Sequence, residues 1–207
     1  MIRFAEKKDI PDIMQFIDTH WKKGHILARD RSFFEYQHQQ GETVSFVLSL
    51  NQEGCIDGVL GYIPYGEGEC CDIMDALWKV VHTDNPFLGV SLLKYLREHK
   101  KARLIASPGI NKKTIPIYRF LKYHVGEMCQ WYRLPKKEKA AKIGRIAQWN
   151  RPEATAESWE WEEYTAFSQF EASFDFSSYT GETAKPYKEP CYLRHRYFDH
   201  PVYHYRV

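Results

Sequence analysis

Two alternating apolar runs joined by a short turn constrain this chain more than any other feature. Thr43 to Leu50 puts Val44, Phe46 and Leu48 on one side, Asn51 to Gly54 supplies turn chemistry, and Ile56 to Tyr65 is again strand-like. Runs of this kind, so closely linked, close into an antiparallel pair. A second turn rich in Gly and Glu (Gly66, Glu67, Gly68, Glu69) leads to a longer run from Cys70 to Val81, which extends the pair into a meander.

Helical periods flank this meander. Ile2 to Phe4 alternates as a short strand, and Asp9 stands as N-cap to a helix with Ile10, Ile13, Met14 and Ile17 on one face. Arg31 to Gln39 forms a second helix with Phe33, Phe34 and Tyr36 inward, closed by Gly41. After "HTDNP" come a helix with Leu88, Leu92, Leu93 and Leu96 toward the core, a strand Arg103 to Ser107, a helix Thr114 to Lys122 and a strand Val125 to Leu134. The order β-α-α-β-β-β-α-β-α-β predicts a mixed, mostly antiparallel α/β sheet whose parallel pair is crossed over by a helix. A ligand belongs at the C-terminal end of that parallel strand, near the helix that follows it.

At 207 residues the chain can bury a core without disulfides or metals. With 29 Lys and Arg against 27 Asp and Glu, the formal charge is +2, which argues against nucleic acid as a partner. Cys55, Cys70, Cys71, Cys129 and Cys191 form no C-x-x-C pair, so neither a zinc site nor a disulfide framework is signalled and a reducing, cytoplasmic setting fits. No apolar run approaches the roughly 18 residues of a membrane span.

Beyond Pro135 a lysine-rich run reads as a linker, residues 135–150, and residues 151–207 form an aromatic-rich extension. Its end, "CYLRHRYFDHPVYHYRV", reads as a helix followed by a strand, Val202 to Val207, and parallels "SFFEYQHQQGETVSFVL" as a weak internal repeat. Two readings stand: a second copy of the domain starts here, making the chain part of a split two-domain protein, or the pattern recurs by chance. The strand's unpaired edge invites a homo-dimer. His195, His200 and His204 fall on different faces of such a pattern, so no metal is expected.

The segment "SPGINKKTIPIYRFLKY", Ser107 to Tyr123, together with the element order, resembles the Gcn5-related N-acetyltransferase superfamily over residues 2–134. The family's Tyr-x-x-x-Gly-Phe signature here reads Tyr118-Arg-Phe-Leu-Lys122-Tyr123, with Lys for Gly and Tyr for Phe. The resemblance implies an α/β (α+β) fold with a mixed, mostly antiparallel sheet, a parallel pair splayed at the centre and helices on both faces. It implies acetyl-CoA as cosubstrate and a small amine as acceptor. Tyr118 would then be the general acid for the leaving thiolate, Asn111 would bond the pantetheine arm, and backbone N–H groups at Val80 and Val81 would polarise the thioester carbonyl.

The family's pyrophosphate loop falls on Asp84-Asn-Pro-Phe-Leu-Gly89-Val90-Ser91. Gly89, Val90 and Ser91 would open the helix that holds phosphate, while Asp84 sits where a cation is common. Abstracting the amine proton needs a base; Asp72, Asp75 and His25 are the candidates, and Asp75, set in an apolar strand, is the one whose pKa burial should raise. Plainer readings accompany each: Tyr118 as a core aromatic, Asp75 as a solvent-facing or bulge residue, His25 as a helix cap. "FFEYQH" and "GVLGYIP" look like acetyltransferase-like proteins of bacterial surface-polysaccharide loci, which implies an amino-sugar nucleotide acceptor. A degenerate member that binds a ligand or partner without turnover is the alternative.

Overall fold

Strand β3 (Thr43–Leu50) carries the apolar alternation seen in the sequence. The computed structural model describes residues 1–68, 70–81, 84–128, 162–205 and 207. They fall into two compact units, Met1–Gly109 with Glu163–Val207, and Ile110–Glu162.

In the first unit, β1 (Ile2–Glu6), α1 (Ile10–Phe16), α2 (Ile26–Arg29), α3 (Arg31–His38), the two-residue β2 (Gln39–Gln40), β3 (Thr43–Leu50), β4 (Ile56–Pro64), β5 (Ile73–Val80), α4 (Leu88–His99) and β6 (Ile105–Ala106) follow in order. The strands pair as β1-β3-β4-β5-β6, with β2 also on β3. All pairs are antiparallel except β5 with β6, which is parallel. The expected mixed sheet is therefore present, with β6 last in the order among the described residues.

Period two sorts the strand residues between two layers. Val44, Phe46, Leu48 and Val59 join Ile10, Ile13, Ile17 and Phe34 in one core cluster, all with at most 1% exposure. Val47 and Leu60, of opposite parity, are also fully buried, as are Leu92 and Leu96 of α4. Each such side chain contributes about 1.5–3 kcal/mol by leaving water. Two glycines permit close layers: a Cβ on Gly61 would stand 2.8 Å from the Phe46 ring, and one on Gly58 would stand 3.2 Å from Leu92.

Asp9 precedes α1 as expected, but its carboxylate does not cap it. It turns back to accept two bonds from the Arg3 guanidinium (2.7 and 2.8 Å) and one from the Glu6 N–H (2.8 Å). The paired guanidinium outweighs burial and holds the Asp9 carboxyl below the usual carboxylate range.

The C-terminal segment of this unit contains α6 (Phe167–Ser173) and α7 (Pro190–Leu193), the latter running into a wider turn, Arg194–Phe198. Of the strand expected from Val202 to Val207, Val202–Tyr205 and Val207 form none, and residue 206 lies outside the described residues. His200 Nδ1 accepts the N–H groups of Val202 (3.2 Å) and Tyr203 (3.0 Å), donors that a strand would have offered to a neighbour, and Pro201 supplies none. A dimer through that strand accordingly has no edge to build on. Among the described residues no helix is long and apolar enough to cross a membrane.

The second unit contains α5 (Ile115–Phe120), shorter than the expected Thr114 to Lys122. Of the strand expected at Val125 to Leu134, residues 125–128 form none and the rest lies outside the described residues. The expected linker at 135–150 and the start of the extension also lie outside them.

Candidate active site

The site begins where β5 parts from β6. The two strands pair only at Ile73 with Ile105 and Met74 with Ala106. After Ala106 the chain leaves the sheet through Ser107, Pro108 and Gly109, whose φ of +72° is readily adopted only by glycine. Among the described residues, β5 runs on to Val80 paired with β4 alone.

At this parting the register of β4 against β5 slips. Gly61 faces Leu77 and Tyr62 faces Asp75, so Ala76 has no opposite number and bulges outward, exposed. Asp75 is thus set at the head of the gap, where the Ser107 hydroxyl donates to its Oδ2 at 2.5 Å. Farther along, Val81 gives its N–H to the Asp57 carbonyl at 2.8 Å, so this expected donor is committed to the sheet. Strand alternation then turns the Val80 N–H to the opposite edge, the one β6 has vacated.

Beside the bulge lies a cleft of about 480 Å³. Its floor is the end of β4, the turn after it with Glu67, and the start of β5 with Asp75 and Ala76; one wall is Tyr36 and the glutamines of α3 and β2. The facing wall is the C-terminal segment, with Tyr192, His195, Arg196 and His200. That wall is fixed at several points. The Tyr187 N–H donates to Asp72 (2.7 Å), the Glu189 N–H to the Tyr65 carbonyl (2.7 Å), and the Tyr192 ring meets Tyr65 edge-on at 4.8 Å. Tyr36 touches this wall directly: its hydroxyl donates to the His195 carbonyl at 2.5 Å while the two rings stack 4.0 Å apart.

Charges around the cleft have distinct surroundings. Burial pushes the Asp72 carboxyl up, but Arg103 (3.0 and 2.7 Å) and the backbone donors outweigh it and hold it below the usual range. Asp72 is a structural anion, not a free base. Burial, reinforced by Tyr197, pushes the Tyr65 phenol up to about 12. Behind the glutamine wall, His38 is fully buried with Nδ1 2.9 Å from the Ser45 hydroxyl, and burial drives its pKa down to about 3, so it stays neutral.

The other expected residues have these positions. His25 caps α2, accepting the Leu27 N–H at 3.2 Å on Nδ1 and lying edge-on to Trp21, and it does not line the cleft. Burial, then Lys22 and Arg29, lower its pKa. Its plainer reading as a cap is the observed one. Gly89 lies against the Trp78 indole, where a Cβ would come within 3.1 Å, at the start of α4. Gly89 and Val90 are the second and third residues of that helix, whose N-cap Phe87 offers no side-chain acceptor. The Ser91 hydroxyl is returned to the Phe87 carbonyl at 3.1 Å.

In the second unit, the Asn111 amide oxygen accepts the Lys113 N–H at 2.9 Å, and its carbonyl accepts from the Thr114 N–H and hydroxyl, which starts α5. Tyr118 is buried and meets Tyr123 edge-on at 5.4 Å. Lys122 has φ +64°, left-handed, at the position where the signature has glycine.

Tyr36, Glu67, Ser107 as the partner of Asp75, and the C-terminal wall escaped the sequence reading. They lie far apart in the chain, so no local pattern marks them; only the density of aromatics in the tail hinted that it packs on something.

Solved structures share this architecture, and 37 chains match it. The aminoglycoside acetyltransferase AAC(6')-Iy, in complex with a bisubstrate analog of CoA, matches at TM-score 0.50 and 14% identity, over 65% of this chain and 97% of that one. An acetyltransferase of Trypanosoma brucei (TM-score 0.46, 18% identity, 65% and 99% covered) and a ribosomal-protein-alanine N-acetyltransferase of Brucella melitensis (0.46, 11%, 65% and 99%) are also similar. No protein-family profile and no curated protein matches the sequence. The fold is that of the first of these acetyltransferases.

Proposed function

We propose that this protein is an N-acyltransferase that moves an acetyl group from acetyl-CoA to a small amine. The observation that carries the reading is the parting of β5 from β6 after Met74 and Ala106, with the Ala76 bulge and Asp75 at its head. The neighbour solved with a CoA bisubstrate analog supports the same ligand.

The residues present suit this cosubstrate in two respects and oppose it in one. The unfilled N–H groups at Gly89 and Val90 suit a pyrophosphate, and the vacated edge of β5 suits an extended arm. The exposed Asp84 opposes an anion through its charge. Acetyl-CoA supplies a thioester carbon open to attack by a neutral amine. Asp75, held by Ser107, takes the proton that the acceptor ammonium must lose, and the Val80 N–H is the donor directed at the vacated edge. Tyr118 is the proposed acid for the departing sulfur, since a phenol stays protonated at neutral pH. An amino-sugar nucleotide of surface-polysaccharide synthesis is one acceptor of this class. Dependence on an intracellular thioester makes the protein cytoplasmic under this reading.

Asp84 favours a second reading, a relative that binds partners without turnover. Titration calorimetry with acetyl-CoA, followed by thiol release against an amine panel, separates the two. Binding near micromolar to submillimolar Kd and amine-dependent thiol release are expected; no heat at millimolar cosubstrate overturns the transferase. Tyr118→Phe is expected to lower kcat by about tenfold or more, and unchanged turnover removes Tyr118 from the role.

A further inference from the structure

The C-terminal wall of the cleft carries two groups that the acyl-transfer reading does not use. Arg196 is half-buried and lines the cleft, yet no carboxylate lies within ion-pair distance of it among the described residues. Its neighbour Arg194 has already taken Asp199, at 3.0 Å. The Arg196 guanidinium instead lies over the Tyr205 ring, 5.4 Å from its centre. Its charge is felt on both sides of the cleft: burial and Asp199 raise the Tyr36 phenol and Arg196 pulls it part of the way back, and it acts likewise against burial at Tyr192.

His200 is the second group. It is 5% exposed, lines the same cleft and packs against Phe33 and Tyr36, each ring centre 5.7 Å away. Because Nδ1 accepts two backbone N–H groups, the proton of the neutral ring sits on Nε2. That Nε2–H is buried and has no partner among the described residues. A buried donor without an acceptor is destabilising, and a ligand oxygen would satisfy it. The floor of the cleft offers the opposite chemistry, the carboxylates of Asp75 and Glu67.

We propose that Arg196 and the Nε2–H of His200, both on this wall, form an anion subsite, so that the acceptor is a small amine that also carries a carboxylate or a phosphate. The amine end rests on the transferase reading, since it is Asp75 that would receive the ammonium. The anionic end rests only on the wall.

Matched pairs test this with the whole chain: lysine against cadaverine for a carboxylate, and phosphoethanolamine against ethanolamine or glucosamine 6-phosphate against glucosamine for a phosphate. Binding is measured by calorimetry without acetyl-CoA, and thiol release with it. The anionic member of at least one pair should bind about tenfold tighter or better, as a charge-assisted contact warrants, and the pair that responds identifies the anion. Arg196→Gln should erase the difference within that pair and Arg196→Lys should keep part of it. His200→Phe, which preserves the ring and removes the donor, should weaken only the anionic member. Equal affinities within every pair, no binding of any probe, or a preference that survives Arg196→Gln overturns the subsite. A binding preference without thiol release overturns the transferase and leaves the subsite standing; thiol release without preference does the reverse.

Discussion

Two ladders of the sheet are built from similar strands and do opposite things. β3 and β4 are registered from Phe46 with Gly61 to Leu50 with Ile56, while β5 and β6 hold two pairs and then separate. The first ladder is clamped on one face by Phe34, stacked 5.5 Å from Phe46, and approached on the other by Leu92. The second ends at a Ser-Pro-Gly turn that leaves the edge of β5 open. A sheet can afford an unpaired edge only where something else meets its backbone groups, which is why the opened end, and not the zipped one, is where a ligand is expected.

Three changes break or sharpen that contrast. The largest effect belongs to the opened end: Asp75→Asn keeps the shape and a bond to Ser107 but removes the base, and kcat/KM should fall by about 10²–10⁴-fold with the melting temperature nearly unchanged. Steady-state thiol release checks this, and an active Asp75→Asn enzyme would move the chemistry elsewhere in the cleft.

Next comes Asp72→Asn, at the base of the same end. The Asp72 side chain is 1% exposed and paired with Arg103 at 2.7 Å, whose own side chain is 38% exposed. After allowance for that exposure, urea unfolding at neutral pH should show a loss of about 2–3 kcal/mol. The pH dependence has a definite sign. The folded-state pKa of Asp72 is lowered, so its contribution is present above the unfolded value near 3.9 and disappears as pH falls through the folded one. The gap between wild type and Asp72→Asn should therefore close below about pH 4. A gap constant from pH 7 to 3 would mean the ion pair is not its source.

The smallest change is Gly61→Ala in the zipped ladder. Its Cβ would stand 2.8 Å from a Phe46 ring that is fully buried, so stability should drop by about 1–3 kcal/mol in the same urea assay. Binding of acetyl-CoA should be little affected. Equal stability would show that the layer can give where its packing says it cannot.

Much of this division was legible in the residues themselves. Val44, Phe46 and Leu48 announced β3, Leu88 to Leu96 announced α4, and the Ser107-Pro108-Gly109 break announced the end of β6. The left-handed residue at 122 was not legible, since lysine stands there and carries no signal for a positive φ. The reading failed at the tail, where Tyr203 and Tyr205 alternate like a strand and are not one. A side chain two residues earlier took the backbone donors, and period-two patterns carry no information about that competition.

Strand and helix periods act between neighbours in the chain, so the layers, the meander and the parallel crossover were determined by sequence alone. The cleft was not. Asp75 meets Ser107, 32 residues on, and Tyr36 meets His195, 159 residues on. Contacts of that span follow from how completed elements pack, a balance of burial, charge and unfilled hydrogen bonds that only the tertiary structure decides.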